Sequence, residues 1–138
     1  MAAVTSLMRA QQIMLARVEE VLRPHDLSFA RYEVLMLLLF SRRGALPLSR
    51  MGDRLQVHPT SITNVVDRLE AQDLVRRLPH PSDRRATLAE LTDGGRALAL
   101  AATGELNARV FARPGLAPDR VDRLVEVLTD LRRTAGDF

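Results

Sequence analysis

Apolar residues in the first part of the chain recur at helical spacing. Between residues 4 and 22 they follow an i, i+3, i+4 rhythm, which predicts an amphipathic helix that ends before Pro24. Ser28 predicts the N-cap of a second helix, from Phe29 to about Phe40, because a serine hydroxyl can accept a hydrogen bond from a free first-turn amide. This second segment is apolar on almost every side, which indicates that it lies at the centre of the core.

The next part of the chain predicts two short helices joined by a tight turn. After a basic turn, residues 47–49 predict the cap of a helix that runs to about Leu55. Another helix is predicted from Pro59 to about Gln72, since proline suits the first turn, where its missing N–H is not needed. The short link at 56–58 has the length typical of a helix-turn-helix.

A β-hairpin and two more helices complete the pattern. Two short strands are predicted at 74–78 and 86–91, separated by a polar, basic tip that contains two prolines. Thr92 predicts the cap of a long helix to about residue 111, and a last helix is predicted at about 118–133. The fold class is therefore mainly α with a small β-hairpin wing: a winged helix-turn-helix with helices added at both ends.

Composition excludes several kinds of chemistry. The chain has 138 residues, the length of one domain, with no Cys, and all 20 of its basic residues are Arg. Without Cys it has no disulfide, thiolate metal site or cysteine nucleophile, and without Lys it has no P-loop lysine or Schiff base. Codon usage in a GC-rich genome is the simplest explanation for the all-Arg composition.

The small positive charge is concentrated in the middle of the chain. The net charge is +3, and residues 41–100 carry 10 Arg against 7 acidic residues, whereas the remaining segments carry 10 of each. A basic middle flanked by neutral ends indicates that the middle contacts a polyanion.

The sequence predicts a cytoplasmic protein. The N-terminus has neither a basic region nor a continuous apolar region of the kind found in signal peptides. The longest apolar run, at 34–40, is far shorter than the about 20 residues that a membrane-spanning helix needs. No membrane partner is expected.

The second helix of the short pair has one apolar and one polar face. On a helical wheel, Ile62, Val65, Val66 and Leu69 gather on one side. The other side carries short hydrogen-bonding side chains and one Arg, residue types that can reach base edges or phosphates in a DNA major groove. The alternative is a helix that simply faces solvent. The neighbouring hairpin carries several basic residues, which favours DNA, although a basic loop tip on its own is usually just solvated.

Several elements in a fixed order resemble the MarR family of bacterial transcription regulators. They lie in the stretch 47–95, PLSRMGDRLQVHPTSITNVVDRLEAQDLVRRLPHPSDRRATLAELTDGG. Its parts are a short helix, a second helix ending in VDRLE at 66–70, a basic strand entry, and the tip Asp83-Arg84-Arg85. The chain departs from the family at Asp73, where glycine is common. Since Asp can adopt the left-handed conformation at some cost, we expect the turn to be kept.

The resemblance implies a homodimer in which the first, fifth and sixth helices interlock. Residues 28–92 would form the winged helix-turn-helix region, and residues 1–24 with 93–138 the helical dimerisation region. The chain's own pattern agrees, because the apolar faces of the first and last helices lie outside the winged region and need cover. The dimerisation residues expected on the last helix are Val121, Leu124, Val125, Leu128 and Leu131.

The resemblance also implies which residues contact double-stranded DNA. Those in or beside the major groove would be Pro59, Thr60, Ser61, Thr63, Asn64 and Arg68. Arg84 and Arg85 at the wing tip would approach the minor groove or its phosphates, with Asp83 bracing Arg85. Phosphate contacts, which position the protein without reading sequence, are expected from Arg76, Arg77 and His80.

The resemblance also implies an effector site. Members of the family commonly bind a small anionic or aromatic compound between the dimerisation helices and the winged region. Arg17, Phe29 and Tyr32 are the candidates, although aromatic residues at such positions are more often core and an Arg is more often solvated. The three histidines are too dispersed to form a metal motif, so no metal and no cofactor is expected.

The function predicted from the sequence is that of a homodimeric repressor, released from a pseudo-palindromic operator by a small ligand. One rival is a winged-helix module that binds protein without specific DNA binding. A second rival, a small enzyme, lacks support because the sequence contains no G-x-S-x-G, H-E-x-x-H, P-loop or G-x-G-x-x-G motif. No enzyme activity is expected.

Overall fold

The computed structural model describes the whole chain except Gln56 and the side chain of Pro59. Its helices and hairpin strands follow the predicted order with boundary shifts of one or two residues, except that the helix predicted to residue 111 divides into an α-helix and a π-helical turn, and that one further short strand is present. The elements are α1 (Ala2–Leu22), α2 (Phe29–Leu39), β1 (Ala45–Pro47), α3 (Leu48–Leu55), α4 (Pro59–Ala71), β2 (Val75–Pro79), β3 (Thr87–Leu91), α5 (Asp93–Leu106) and α6 (Pro118–Thr134). A 3-10 turn, Arg23–His25, follows α1, and a π-helical turn, Asn107–Phe111, extends α5.

The three strands form one antiparallel sheet in the order β1-β3-β2. In the hairpin, Val75 lies opposite Leu91 and Pro79 opposite Thr87. Strand β1 pairs with the other edge of β3, with Ala45 opposite Glu90. The sequence pattern predicted a turn at 42–44, which the structure contains, and a helix cap at 47–49, but it predicted no strand between them. A three-residue strand is too short to show alternation, and its partner lies far away in sequence.

The core is built around α2, as the apolar pattern predicted. Val34, Leu35 and Leu38 of α2 are buried. They belong to one apolar cluster with residues from the end of α1, from α4, from α5 and from the sheet: Val21, Leu22, Ile62, Val66, Leu69, Val75, Ala89, Ala99, Ala102 and Leu106. Helix α4 is therefore held by its apolar face, which leaves its polar face directed outwards.

The two terminal helices leave apolar surface exposed. The first half of α1 is fully exposed, with Val4 65% and Met8 62% accessible. Helix α6 has no buried residue. Of its predicted dimerisation residues, Leu124, Val125 and Leu131 are exposed, and Val121 and Leu128 are only partly covered. The helical ends thus present the uncovered apolar faces that the sequence predicted.

Two helix caps and one left-handed residue determine the turns between elements of the winged region. The hydroxyl of Ser28 accepts from the Arg31 backbone N–H at 3.3 Å, which confirms the predicted cap of α2. Asp73 has a φ of 57°, so the turn after α4 is left-handed despite the absence of glycine. Thr92 caps α5 and also donates to the Asp73 carbonyl at 2.8 Å. A Cβ at Gly95 would lie 2.0 Å from the backbone oxygen of Leu74, so only glycine fits there.

Candidate nucleic-acid interface

The polar face of α4 is a row of exposed side chains. Thr60, Ser61, Thr63, Asn64 and Arg68 are all exposed, as predicted, while Ile62 and Leu69 on the opposite face are buried. In the described part of the structure, the side chains of Asn64 and Arg68 have no hydrogen-bond or ion-pair partner. They are therefore available to an external partner. Pro59 begins α4, but its side chain lies outside the described part, so its predicted contact stays a prediction.

Helix α4 begins at a histidine cap that the sequence pattern did not reveal. His58 Nδ1 accepts a hydrogen bond from the Thr60 backbone N–H at 3.2 Å. The imidazole thus takes the place of the Ser, Thr or Asp usually found at an N-cap. The position of His58 directly before the first-turn proline was the available signal. The cap leaves the start of α4 ordered at the surface that carries the exposed polar row.

Arg77, a predicted phosphate contact, is engaged by two carboxylates of α4. Its guanidinium donates to Asp67 Oδ1 and to Glu70 Oε2, each at 2.6 Å, and its side chain is only 28% exposed. Burial lowers the pKa of Arg77, but the hydrogen bonds and charges of Asp67 and Glu70 outweigh it and raise the pKa above the ordinary value. Arg77 therefore joins the wing to α4. The sequence could not show this because the partners lie on another element.

Arg76, the neighbour of Arg77 on β2, is much more exposed. It pairs with Glu90 on β3, the residue opposite it in the hairpin, and its side chain is 65% exposed. This is a cross-strand pair at the surface, of a kind that exchanges easily with solvent or another anion. Arg76 is thus better placed than Arg77 to reach a phosphate.

The wing tip is organised by His80 and Asp83. His80 Nδ1 accepts from the backbone N–H groups of Ser82, at 3.3 Å, and Asp83, at 3.1 Å. Asp83 Oδ1 accepts from the Arg85 backbone N–H at 2.9 Å. Asp83 therefore holds the backbone of Arg85 and not its guanidinium, so the expected bracing of the arginine side chain stays a prediction. His80 shapes the tip through Nδ1, a role beyond the predicted phosphate contact.

The two arginines at the tip of the wing extend into solvent. Both Arg84 and Arg85 are exposed. Neither guanidinium has a hydrogen-bond or ion-pair partner among the residues that the structure describes. Two unpaired positive charges at the end of a loop form a surface suited to the phosphates of nucleic acid.

Arg17 has partners that argue against an effector role. Its guanidinium donates to the carbonyl oxygens of Arg113, at 2.7 Å, and Pro114, at 3.3 Å. These carbonyls lie in the loop between the π-helical turn and α6, so Arg17 ties α1 to the approach of the last helix. A carboxylate ligand would have to compete with those contacts.

The two aromatic candidates for an effector site belong mainly to the core. Tyr32 is buried, and its hydroxyl lies 2.9 Å from the Thr103 hydroxyl on α5. Phe29 is half-buried and stacks on Tyr32, with 6.5 Å between ring centroids. Tyr32 thus bridges α2 and α5. Both residues therefore fit a role in the core better than a role in the wall of a ligand pocket.

Metal clusters and membrane-spanning helices are both absent from the described residues. Those residues contain no group of three or more His, Cys, Asp or Glu side chains arranged to hold a metal ion. None of their helices combines the length and apolar character required to cross a bilayer.

Comparison with known sequences identifies relatives in one family. A family model described as the MarR family matches residues 27–87. The chain is 36% identical over 89 residues to the HTH-type transcriptional regulator MhqR of Bacillus subtilis, a match that covers 64% of this chain and 60% of MhqR. The match therefore spans less than two thirds of that curated relative.

Solved structures extend the similarity to the whole chain. Sco5413 of Streptomyces coelicolor, described as a MarR family transcriptional regulator, is 49% identical with a TM-score of 0.93, covering 100% of this chain and 96% of its own. Sco3205 of the same organism, solved in complex with DNA, is 25% identical with a TM-score of 0.83, covering 96% and 85%. The shared residues and the winged helix-turn-helix architecture show that this chain belongs to the MarR family.

Proposed function

We propose that this chain is a sequence-specific DNA-binding transcription regulator. Helix α4 acts as the recognition helix in the major groove, and the wing follows the adjacent minor groove. The observation that carries the proposal is that α4 exposes a polar face on which Asn64 and Arg68 have no partner among the described residues, together with the two unpaired arginines at the wing tip. Its relative Sco3205, whose structure holds DNA, supports the same use of the fold.

The proposed contacts divide into those that read bases and those that hold the backbone. Asn64 has the carboxamide that can pair with adenine, and Arg68 has the planar fork that can pair with guanine. Thr60, Ser61 and Thr63 lie on the same exposed face and reach bases or phosphates. Arg76, Arg84 and Arg85 supply phosphate or minor-groove contacts, which position the protein.

We further propose that the working unit is a homodimer. The uncovered apolar faces at the start of α1 and along α6 are the support, because a second copy would bury each against its own equivalent. Two recognition helices about 34 Å apart would then meet successive major grooves of a pseudo-palindromic site. Residues 28–92 form the DNA-binding region of this dimer, and 1–24 with 93–138 form its helical region.

Repression relieved by a small ligand is the regulatory outcome we propose, on the strength of family membership. A regulator of this kind acts in the compartment that holds the DNA, which in a bacterium is the cytoplasm. The function requires no catalytic chemistry, and the relatives named above are transcriptional regulators. The contacts of Arg17 and Tyr32 remove support from the effector site that was first predicted there.

The test is a mobility shift with the DNA upstream of the gene, at two salt concentrations, with random duplex as competitor. Tight binding that falls with salt and resists the competitor is the expected result, because phosphate contacts release counterions while base contacts give preference. If upstream DNA binds no better than random DNA, a random-site selection follows. Failure to enrich any sequence would favour the rival protein-interaction module.

A further inference from the structure

The C-terminal end of α4 is tied to the junction between α1 and α2 by one side chain. Gln72 is the C-cap residue of α4 and is half-buried. Its Nε2 donates to the Asp26 carbonyl at 2.9 Å and to Asp26 Oδ2 at 3.0 Å. Its Oε1 accepts from Arg31 Nη1 at 2.9 Å. Both N–H groups and the oxygen of one carboxamide are therefore engaged by residues more than forty positions away in sequence.

The partners of Gln72 are themselves held in place. Asp26 has a φ of 52°, a left-handed conformation that a non-glycine residue adopts at a cost. Arg31 is anchored at its Nε, which donates to the Ser28 hydroxyl at 3.3 Å. Ser28 is also the N-cap of α2. Gln72 therefore contacts residues that the start of α2 already holds in place.

This contact lies where the two regions of the chain meet. Asp26 follows α1, which contributes to the helical dimerisation region, and Gln72 ends the recognition helix. Contacts of this kind would set the angle between the winged region and the helical dimerisation region of each protomer. A small rotation about the end of α4 would move its exposed side chains relative to the bases, whereas charge contacts to phosphates tolerate such a movement better.

We propose that Gln72 is a positioning residue, whose carboxamide latches the end of α4 to the α1–α2 junction and so sets how the recognition helix is presented to DNA. The inference rests on the proposed DNA-binding function. Gln72 touches no base in this role. It acts through the orientation of α4, and so affects discrimination between DNA sequences more than affinity for DNA in general.

The principal test is Gln72→Met, which keeps the length of the side chain and removes its hydrogen bonds. The DNA is a duplex that the wild-type chain selects from a random-site pool, with a scrambled duplex of the same composition as reference. The ratio of the two affinities should fall about tenfold, the scale on which positioning contacts alter coupled function. Affinity for the scrambled duplex and the melting temperature should change little.

Three further variants provide comparison. Gln72→Glu keeps one oxygen toward Arg31 but places its second oxygen against the Asp26 carboxylate. The variant should therefore also lower the ratio of the two affinities. Asp26→Asn keeps an oxygen acceptor and tolerates the left-handed conformation, so it should behave as wild type. Gln12→Met makes the same substitution as the principal variant at an exposed position of α1, outside its apolar stripe, and is the matched control.

Three results would overturn the inference. An unchanged ratio in both Gln72 variants would show that the contact does not orient α4. Equal losses on the selected and scrambled duplexes would show a general structural role instead. A wild-type chain that selects no sequence would overturn the proposed function itself and this inference with it. That outcome differs from one in which the wild type and the Gln72 variants discriminate equally well, which would overturn this inference alone.

Discussion

Arg77 on β2 donates from Nη2 to Asp67 Oδ1 on α4 over 2.6 Å, so the wing and the proposed recognition helix are joined by a charged pair. The same guanidinium reaches Glu70 one turn further along α4. Arg77, which the family resemblance assigned to a phosphate contact, thus pairs with two residues of the protein itself. Two ion pairs therefore link the wing to α4.

The first prediction concerns this clamp. Arg77→Ala should weaken binding to the selected duplex but leave the slope of log affinity against log salt unchanged, because every phosphate contact is still made. Arg76→Ala is the comparison, and it should reduce the slope by about one. The destabilisation by Arg77→Ala should be about 1 kcal/mol or less, since both carboxylates are largely exposed. A slope that falls in Arg77→Ala would reveal a direct phosphate contact.

The second prediction concerns the wing tip. Replacing Arg84 and Arg85 together with Ala should weaken binding to every duplex and flatten the salt dependence, by about one unit of slope for each phosphate that is no longer neutralised. Fluorescence anisotropy at several salt concentrations measures both effects. Arg133→Ala removes an exposed Arg at the end of α6, outside the proposed DNA-binding region, and serves as control. If the double variant and the control show the same slope, the wing does not contact DNA.

The third prediction concerns base readout by α4. Asn64→Ala should cost about 1–3 kcal/mol on the selected duplex, the usual value of a good base contact, with little loss on scrambled DNA. Asn64 is exposed and has no side-chain partner in the described part of the chain, so its removal should leave the melting temperature unchanged. Equal losses on both duplexes would place Asn64 beside a phosphate instead.

The fourth prediction concerns the homodimer. Leu124→Arg puts a charge into the apolar face of α6, where burial against a second copy would be strongly unfavourable. We expect sedimentation to show monomer at concentrations where the wild type is dimeric. Glu126→Arg introduces the same residue on the opposite face of α6 and should leave the dimer intact. A dimeric Leu124→Arg chain would place the interface elsewhere.

The fifth prediction concerns pH and Glu33 on α2. Burial raises the pKa of this carboxyl, which is half-buried and has no ion-pair partner among the described residues. A group whose pKa is higher in the folded state stabilises the fold below its unfolded pKa. This contribution is lost as pH rises through the folded pKa. The contribution of Glu33 to stability should therefore decline as pH rises from about 4 toward neutral.

The variant that tests this is Glu33→Gln, which removes the charge and keeps the shape. It should melt at a higher temperature than wild type at pH 7, and the difference should shrink toward pH 4. Thermal unfolding followed by circular dichroism at several pH values measures it. Glu126→Gln, at an exposed position on α6, is the control. A difference that grows on acidification would mean that the carboxylate form stabilises the fold.

Features that depend on neighbours in sequence could be predicted directly. The apolar and polar faces of α4 follow from the helical period, and the caps at Ser28 and Thr92 follow from side chains next to free first-turn amides. The left-handed turn at Asp73 was expected from the family resemblance, because glycine is common at that position. In each case the residues that interact lie within a few positions of one another. Family resemblance added the roles of those faces, which periodicity alone left open between DNA and solvent.

Features that depend on distant pairs were decided only by the tertiary structure. Strand β1, the clamp of Arg77, the contacts of Arg17 and the latch of Gln72 each join residues from separate elements. Periodicity shows which way a side chain faces along its own element, but not which group of another element it meets. The sequence by itself thus determined the elements, their faces and the family. Packing decided which charged and polar side chains hold the protein together and which stay free for a partner.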